Sequence, residues 1–392
     1  MTTFGELGLK AEIVDALAEQ GIHEPFPVQA VTIEDALAGR DVCGKAKTGS
    51  GKTLAFGLPM LQTAAKAIPG HPTALVLVPT RELAKQVVDE LSPLGKAAGM
   101  RVAAFYGGTS LDKQVKNLQR KITVAVATPG RMIDLLERGE LDLDAVRTLV
   151  IDEADRMADM GFLPQVEWIL RKVPGDRQTL LFSATLDREV DVLVRRYMHD
   201  PVLHEVVSDT QTVDEMLHRF LKVHELDRIK VLAAISAGVS RTMVFVRTKR
   251  GADKLVSQLK REGVAAAAIH GDLRQSAREK ALKDFQEEEH GVLVATDVAA
   301  RGIHVDDVDV VVHYDPPEEH KSYVHRSGRT ARAGNEGMVV TFVLWDQELE
   351  VERLQRRLGM REKIIEVFSN DPRLANLVAL DSPAPRRRTA GV

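Results

Sequence analysis

Leu75 to Leu91, LVLVPTRELAKQVVDEL, is an apolar run, a short polar turn and then a helix-period segment with Leu83, Val87, Val88 and Leu91 on one face. Such a run reads as a strand buried on both faces, and a strand followed at once by an amphipathic helix is the repeating unit of a parallel α/β sheet. Met243 to Leu259, MVFVRTKRGADKLVSQL, repeats the plan with Leu255, Val256 and Leu259. Thr80 and Thr248 hold equivalent places 168 residues apart, and the same offset relates the Val-Ala-Thr triplets ending at Thr128 and Thr296. Between them, Tyr106-Gly107-Gly108 and His270-Gly271-Asp272 each close a further strand. The expectation is an α/β fold in two halves of one architecture, each a parallel sheet flanked by helices and joined by right-handed crossovers. The breaks in periodicity divide the chain into a first domain over 1–205, a linker over 206–216, a second domain over 217–370 and a tail over 371–392. Within the last stretch, residues 344–360 and 361–380 are expected to form one or two helices capping the second domain.

Composition narrows the class. With 44% hydrophobic and 28% charged residues, the 392-residue chain has the make-up of a globular protein large enough for two or three cores. No apolar run is long enough to span a bilayer, and Lys10 and Glu12 interrupt any leader-like core, so a cytoplasmic location without membrane contact is expected. The single cysteine, Cys43, fits a reducing compartment and reads as a small buried strand residue. A net charge of -4 does not advertise nucleic-acid binding, but a local stripe of Lys and Arg suffices to engage phosphates.

Two stretches carry chemistry. Leu149-Val150-Ile151 runs into Asp152-Glu153-Ala154-Asp155, which places carboxylates at the C-terminal end of a buried strand, where parallel sheets bind their ligands. An acidic helix start would look the same. Residues 46–53, AKTGSGKT, decide between the readings: they match the phosphate-loop pattern at its Gly-Lys-Thr end, with Ala46 in place of the first glycine. Chance supplies Gly-x-Gly-Lys-Thr in a chain this long with a probability on the order of 1%. The glycines would let backbone N–H groups converge on phosphates, Lys52 would reach the β- and γ-phosphates, and the Thr53 hydroxyl would ligate Mg²⁺. The second half lacks both features. It carries His325-Arg326-Ser327-Gly328-Arg329-Thr330-Ala331-Arg332, whose arginines three apart read either as a solvated face or as fingers for a γ-phosphate.

With these pieces the chain resembles the DEAD-box ATP-dependent RNA helicases of superfamily 2, in their bacterial-type minimal core, over nearly all of residues 4–345. The motifs stand in order: GIHEPFPVQ (21–29) with Phe4 upstream, AKTGSGKT, PTRELA (79–84), Gly107-Gly108, TPGR (128–131), DEAD, SAT (183–185), VFVRT (244–248), QSAR (275–278), ATDVAARGIH (295–304) and HRSGRTARAG (325–334). The resemblance implies two RecA-like domains, ATP and Mg²⁺ as cofactors, and RNA-stimulated hydrolysis coupled to local unwinding of short duplexes or RNP remodelling. An ATP-gated RNA clamp is the alternative. The resemblance assigns Gln29 to the adenine edge, Phe4 to stacking on its ring, Thr48, Gly49, Ser50, Gly51, Lys52 and Thr53 to the phosphates, Asp152 to Mg²⁺, Glu153 to the attacking water, and Arg329 and Arg332 to the γ-phosphoryl group. Asp155, Ser183, Thr185 and His325 would link hydrolysis to RNA. Contact with single-stranded and duplex RNA, largely independent of sequence, carries over to Pro79, Arg81, Gly108, Thr128, Arg131, Gln275, Arg278 and Thr296. Proteins of RNA decay or ribosome assembly are the candidate partners. Ile22 and Phe26 stand where the pattern has an aromatic and Thr or Ser; His304 replaces an Asp and Ala331 a Gly. These departures bear on adenine discrimination, on sugar recognition and on the Arg332 turn.

Overall fold

The computed structural model describes residues 2–46, 49–206, 216–287, 291–300, 305, 308–330 and 337–381. The residues divide into two units, Met1–Ser208 and Asp209–Val392, so the division falls inside the expected linker, most of which lies outside the described residues.

The first unit is built on β1 (Val42–Lys45), β2 (Ala74–Leu77), β3 (Val102–Phe105), β4 (Val124–Ala127), β5 (Thr148–Asp152), β6 (Gln178–Ser183) and β7 (Val202–Glu205). All their pairings are parallel, in the order β3-β4-β2-β5-β6-β1-β7. Alternation along each strand feeds two cores: Ala74 and Val76 pack into one layer, Leu75 and Leu77 into the other. That is why these strands read as continuous apolar runs. Cys43 is 2% exposed, and burial pushes its thiol up to about 11, so it is a packing residue and not a reactive one.

The second unit uses β8 (Leu217–Lys222), β9 (Arg241–Phe245), β10 (Ala266–Ile269), β11 (Gly291–Ala295), β12 (Val310–His313), β13 (Met338–Val343) and β14 (Ile364–Glu366) in the order β10-β11-β9-β12-β13-β8-β14. Strand for strand this is the order of the first sheet, so each half is one RecA-like unit. The offset of 168 joins β2 to β9 and β4 to β11, the segments whose repetition was visible in the sequence.

Two expectations at the C-terminal end are corrected. Residues 361–380 are not a helix: Ile364–Glu366 adds a parallel strand beside β8, and short 3-10 turns follow at Pro372–Ala375 and Leu377–Asp381. The tail does not begin at 371, because Leu374, Leu377 and Leu380 are buried in the second unit's core. Residues 382–392, with Arg386, Arg387 and Arg388, lie outside the described residues.

His313 ends β12 with no exposure, edge-on to Tyr323 at 4.6 Å and within 3.3 Å of the Thr341 hydroxyl. Burial, followed by the charges of Arg326 and His218, holds its imidazole well below the usual range. The unfolded chain takes up that proton near pH ~6.5, so stability is fully present above that value and is lost as pH falls through it. The second unit is therefore expected to melt lower by roughly 3 °C per pH unit below about 6.5. Thermal unfolding between pH 7.5 and 5 checks this, and His313→Gln should flatten the slope; equal slopes in both proteins would remove His313 as the cause.

Candidate functional site

The sheet order sets the site. At the C-terminal ends of the strands, β1, β6 and β5 stand side by side and lead to the phosphate-loop glycines, Ser183 and Asp152; β2, β4 and β3, further along, lead to Arg81, Thr128 and Gly108. One half of the edge is acidic and glycine-rich, the other carries arginines.

In the acidic half, Gly49 and Gly51 have φ of 80° and 86°, a region that side chains with Cβ rarely enter. A Cβ on Gly51 would also come within 2.5 Å of the Gln29 Nε2. The helix Lys52–Thr63 starts there with its N–H groups unsatisfied by its own turns. Lys52 is 6% exposed, its Nζ is 4.0 Å from Asp152 Oδ1, and it has no hydrogen-bond partner among the described residues. A buried ammonium with unfilled donors is costly unless an anion completes it. The residues present therefore fit a polyphosphate, and the hard oxygens of Thr53 and Asp152 fit Mg²⁺. Ser50 is half-buried beside them, and Thr48 lies outside the described residues.

Asp152 and Glu153 are each 3% exposed. Glu153 has φ 54° and ψ 50°, a left-handed conformation that costs a non-glycine residue about 1–2 kcal/mol. Its N–H donates to Asp152 Oδ1 at 2.9 Å, and its carboxylate accepts from Arg156 Nη1. Asp155 is the hub of the next layer: its N–H donates to Ser183 Oγ at 3.1 Å, and its two carboxylate oxygens accept from Arg156 N–H at 3.0 Å and Thr185 N–H at 3.2 Å. The structure thus joins three of the four expected linking residues; the fourth, His325, is half-buried in the second unit.

Next to the phosphate loop is a cleft of about 440 Å³ whose lining includes Ile22, Phe26, Gln29, Gly51 and Leu54. One expectation changes here. Phe4 does not face this cleft: turns at residues 3–9 bury it to 2% exposure in the core with Leu7 and Leu9. The aromatic at the cleft is Phe26, 58% exposed. Gln29 is fully buried, and both ends of its amide engage backbone: Oε1 accepts from Phe26 N–H and Nε2 donates to the Gly51 carbonyl, both at 2.9 Å. It is a brace between the turn and the phosphate loop. Phe26 is the N-cap of the helix Pro27–Leu37, and Gln29 at N3 supplies the half of a capping box that reaches back to the N-cap N–H, while Phe26 offers no side-chain acceptor for the other half.

Phe26→Thr is accordingly expected to add a cap and raise stability by about 1 kcal/mol. Loss of the ring is expected to raise the ATP KM roughly 3–10-fold. Thermal unfolding and steady-state kinetics read the two effects separately; a lower melting temperature would contradict the capping argument.

In the other half of the edge, Arg81 opens the helix Arg81–Ala97, capped by Thr80 Oγ1, which accepts from Leu83 N–H at 3.3 Å. Pro79 is buried just before it, and Thr128 is the N-cap residue of Pro129–Glu137, without a side-chain cap bond. Gly108 has φ 80°, and a Cβ there would strike the Arg81 guanidinium, so the glycine admits the arginine. Arg131 Nη2 donates to the Thr109 carbonyl at 3.5 Å and Nε lies 3.6 Å from Asp134. Burial first, and after it the charge of Arg81, lowers the affinity of Arg131 for its proton, against the pull of Asp134. Two guanidiniums held that close attract an anion.

In the second unit, Thr296 directly follows β11 and donates its N–H to the Ile269 carbonyl at 3.3 Å. Gln275 and Arg278 lie in the first turn of Gln275–Glu287, with Gln275 buried and Arg278 half-buried. Arg326 and Arg329, three apart, do not share an exposed face, since both are buried. Arg326 is 5% exposed, forks onto Asp297 at 2.6 and 2.7 Å, donates to the Asp315 carbonyl at 2.8 Å and lies 5.2 Å over the Phe245 ring. It is a structural brace. Arg329 is 5% exposed, while Arg332, Ala331 and His304 lie outside the described residues.

A phosphate-loop sheet with paired acids, followed by a second sheet of the same order without them, defines a nucleoside-triphosphate hydrolase of tandem RecA-like type. Profiles described as DEAD/DEAH box helicase and as helicase conserved C-terminal domain match residues 26–193 and 221–334. The ATP-dependent RNA helicase CshA of Listeria monocytogenes is 45% identical over 88% of this chain and 66% of its own length. The corresponding protein of Geobacillus kaustophilus is 44% identical over 88% of this chain and 74% of its own length. Dbp5 of S. cerevisiae, in a structure bound to RNA and ADP BeF3, is 30% identical, with a TM-score of 0.81 over 95% of this chain and 97% of that one. The chain belongs to the DEAD-box ATP-dependent RNA helicases, a family of ATP-hydrolysing enzymes. It spans between 60% and 74% of the length of the first of these relatives.

Proposed function

We propose that this chain hydrolyses ATP in response to RNA and uses the cycle to separate short duplexes or to remodel ribonucleoprotein. The observation that carries the reading is the buried Lys52 ammonium, 4.0 Å from Asp152 and beside the strained Glu153. Lys52 and the N–H groups at the start of Lys52–Thr63 bind the phosphates, with Thr48, Gly49, Ser50 and Gly51 shaping the cradle. Asp152 and Thr53 would hold Mg²⁺, which when bound would supply charge neutralisation to the phosphates. Glu153 takes a proton from water as its oxygen bonds to the γ-phosphorus; the bond to the bridging oxygen breaks and ADP leaves with that electron pair. Arg329 and Arg332 neutralise charge on the transferred group. Phe26 covers the base in place of Phe4, and Gln29 holds the loop.

RNA lies along Pro79, Arg81, Gly108, Thr128 and Arg131 in one unit and Gln275, Arg278 and Thr296 in the other. Hydroxyls, backbone and arginines of this kind suit phosphate and 2′-OH and tolerate any sequence. Asp155, Ser183, Thr185 and His325 transmit its presence to the acids. A cytoplasmic location and partners in RNA decay or ribosome assembly complete the reading; among the described residues no helix is long and apolar enough to cross a membrane.

Strand displacement and ATP turnover are the test. Release of a labelled strand by protein present at catalytic levels, with ATPase stimulated by RNA and not by DNA, is expected. Displacement only at stoichiometric protein would favour the clamp, and stimulation by DNA a translocase.

A further inference from the structure

We propose that the exposed basic face of the helix Leu111–Leu118, with the turn after it, is a further RNA-contact surface outside the motifs. It takes the phosphate backbone of a strand that continues past Arg81 and Arg131. The inference rests on the reading that RNA lies along that edge.

The whole chain has a net charge of -4, yet between Ala97 and Arg131 stand six lysines and arginines and a single acid, Asp112. Five of the six, Arg101, Lys113, Lys116, Arg120 and Lys121, are exposed. Exposed cations on other helices are matched by an acid one turn away: Lys85 by Asp89, Arg138 by Asp134, Arg195 by Asp191 and Lys283 by Glu287. Among the described residues no ion pair joins any of these five to a carboxylate, Asp112 included. Like charges gathered on one face repel, and a polyanion relieves that repulsion while releasing its own counterions.

The fold turns the run into a continuous surface. β3 is the edge strand of its sheet, and the helix leads back from the end of β3 to the start of β4. Leu118 is buried in the core, with Leu111 and Val115 packed against it, which leaves Lys113 and Lys116 one turn apart on the outer face. Arg120 and Lys121 continue the line in the following turn. Arg101 stands beside them, its carbonyl accepting from Thr123 and Val124 N–H at 2.9 and 3.0 Å.

The line begins at the arginine edge. Gln114, 9% exposed, donates Nε2 to the Tyr106 carbonyl at 2.9 Å and to Thr109 Oγ1, and the Thr109 carbonyl accepts from Arg131. One buried amide therefore fixes the basic helix to the turn that carries Gly108 and holds Arg131. Eight helical residues span about 12 Å, enough for roughly three phosphates of a helical strand. The face stops where Gly70 N–H donates to the Leu118 carbonyl, beside the acids Asp142 and Asp144 grouped with His71.

The test is RNA affinity of the full chain, with a non-hydrolysable ATP analogue, over a series of salt concentrations. The variant is the triple change Lys113→Gln, Lys116→Gln and Arg120→Gln, read on single strands of about five and about twenty nucleotides. On the long strand the variant is expected to bind roughly tenfold more weakly at low salt, and its log–log salt slope should be shallower by about 2, since each lost phosphate contact removes about 0.7. On the short strand, which covers only the arginine edge, affinity should stay within about twofold of the parent. Lys113→Arg with Lys116→Arg, which keeps the charge, should match the parent on both. A long-strand slope equal to the parent's would overturn the proposal and leave the face to an acidic protein partner. Equal losses on both lengths would also overturn it, placing the cations within the core site. If the parent binds neither strand, the reading of RNA along Arg81 and Arg131 fails, and this inference with it.

Discussion

Glu153→Gln is expected to lower RNA-stimulated ATP turnover by about 10²–10⁴-fold, the range a positioned general base contributes. ATP-dependent RNA binding should survive. The substitution keeps the shape of the side chain and an oxygen that can accept from Arg156, and it leaves Lys52, Asp152 and the phosphate loop untouched. Only the capacity to take a proton is lost. The left-handed backbone at Glu153 is no worse for Gln, so the melting temperature should change little. Single-turnover kinetics with and without RNA, beside RNA binding in the presence of a non-hydrolysable ATP analogue, separate the terms. Turnover within threefold of the parent would transfer the base role to another group.

Arg326→Ala is expected to destabilise the second unit by about 3 kcal/mol, the lower end of the cost of breaking a buried ion pair. The lower end applies because Asp297 is 30% exposed and can rehydrate, whereas the arginine is 5% exposed. Lost with it are the fork onto Asp297, the bond to the Asp315 carbonyl and the contact with Phe245. For a unit of this size that is a fall of roughly 6–12 °C in melting temperature. Calorimetry reads it directly. An arginine acting as a finger would predict the opposite pattern, lost turnover at unchanged stability, so a shift under about 2 °C with kcat abolished would reverse the assignment.

Arg326 shows where reading a linear pattern stops. Spacing of three says which residues share a helix face; it does not say which face the sheet covers. The helix His320–Ser327 turns Tyr323, Arg326 and Ser327 inward, and the carboxylate that receives Arg326 stands 29 positions earlier in the chain. The bond from Gln29 to Gly51 is out of reach for the same reason, since its partner is 22 positions away and meets it only once the loop is folded. Phe4 looked like a stacking aromatic because aromatics serve for both stacking and packing; the turns at 3–9 settle it as packing. Ile364–Glu366 was misread because a three-residue strand is too short to show a period of two.

The long elements were legible. Continuous apolar runs could only be strands covered on both faces, and their alternation with amphipathic helices left a parallel sheet as the way to bury them. The Gly-Lys-Thr loop and the acids after Ile151 were legible too, because phosphate binding needs glycine torsions and a cation at fixed spacing. The duplication was visible at the offset of 168 for two strands of each sheet, and the structure extends it to all seven. What the sequence by itself determined about this protein is therefore its architecture and the inventory of its chemistry, both of which depend on local periodicity and local spacing. The tertiary structure alone decided the pairings: Lys52 with Asp152, Arg156 with Glu153, Asp155 with Ser183 and Thr185, Arg326 with Asp297. Burial is the physical reason. A charge out of water must find a partner, and which partner it finds depends on the strand order, which brings distant segments to one edge of the sheet.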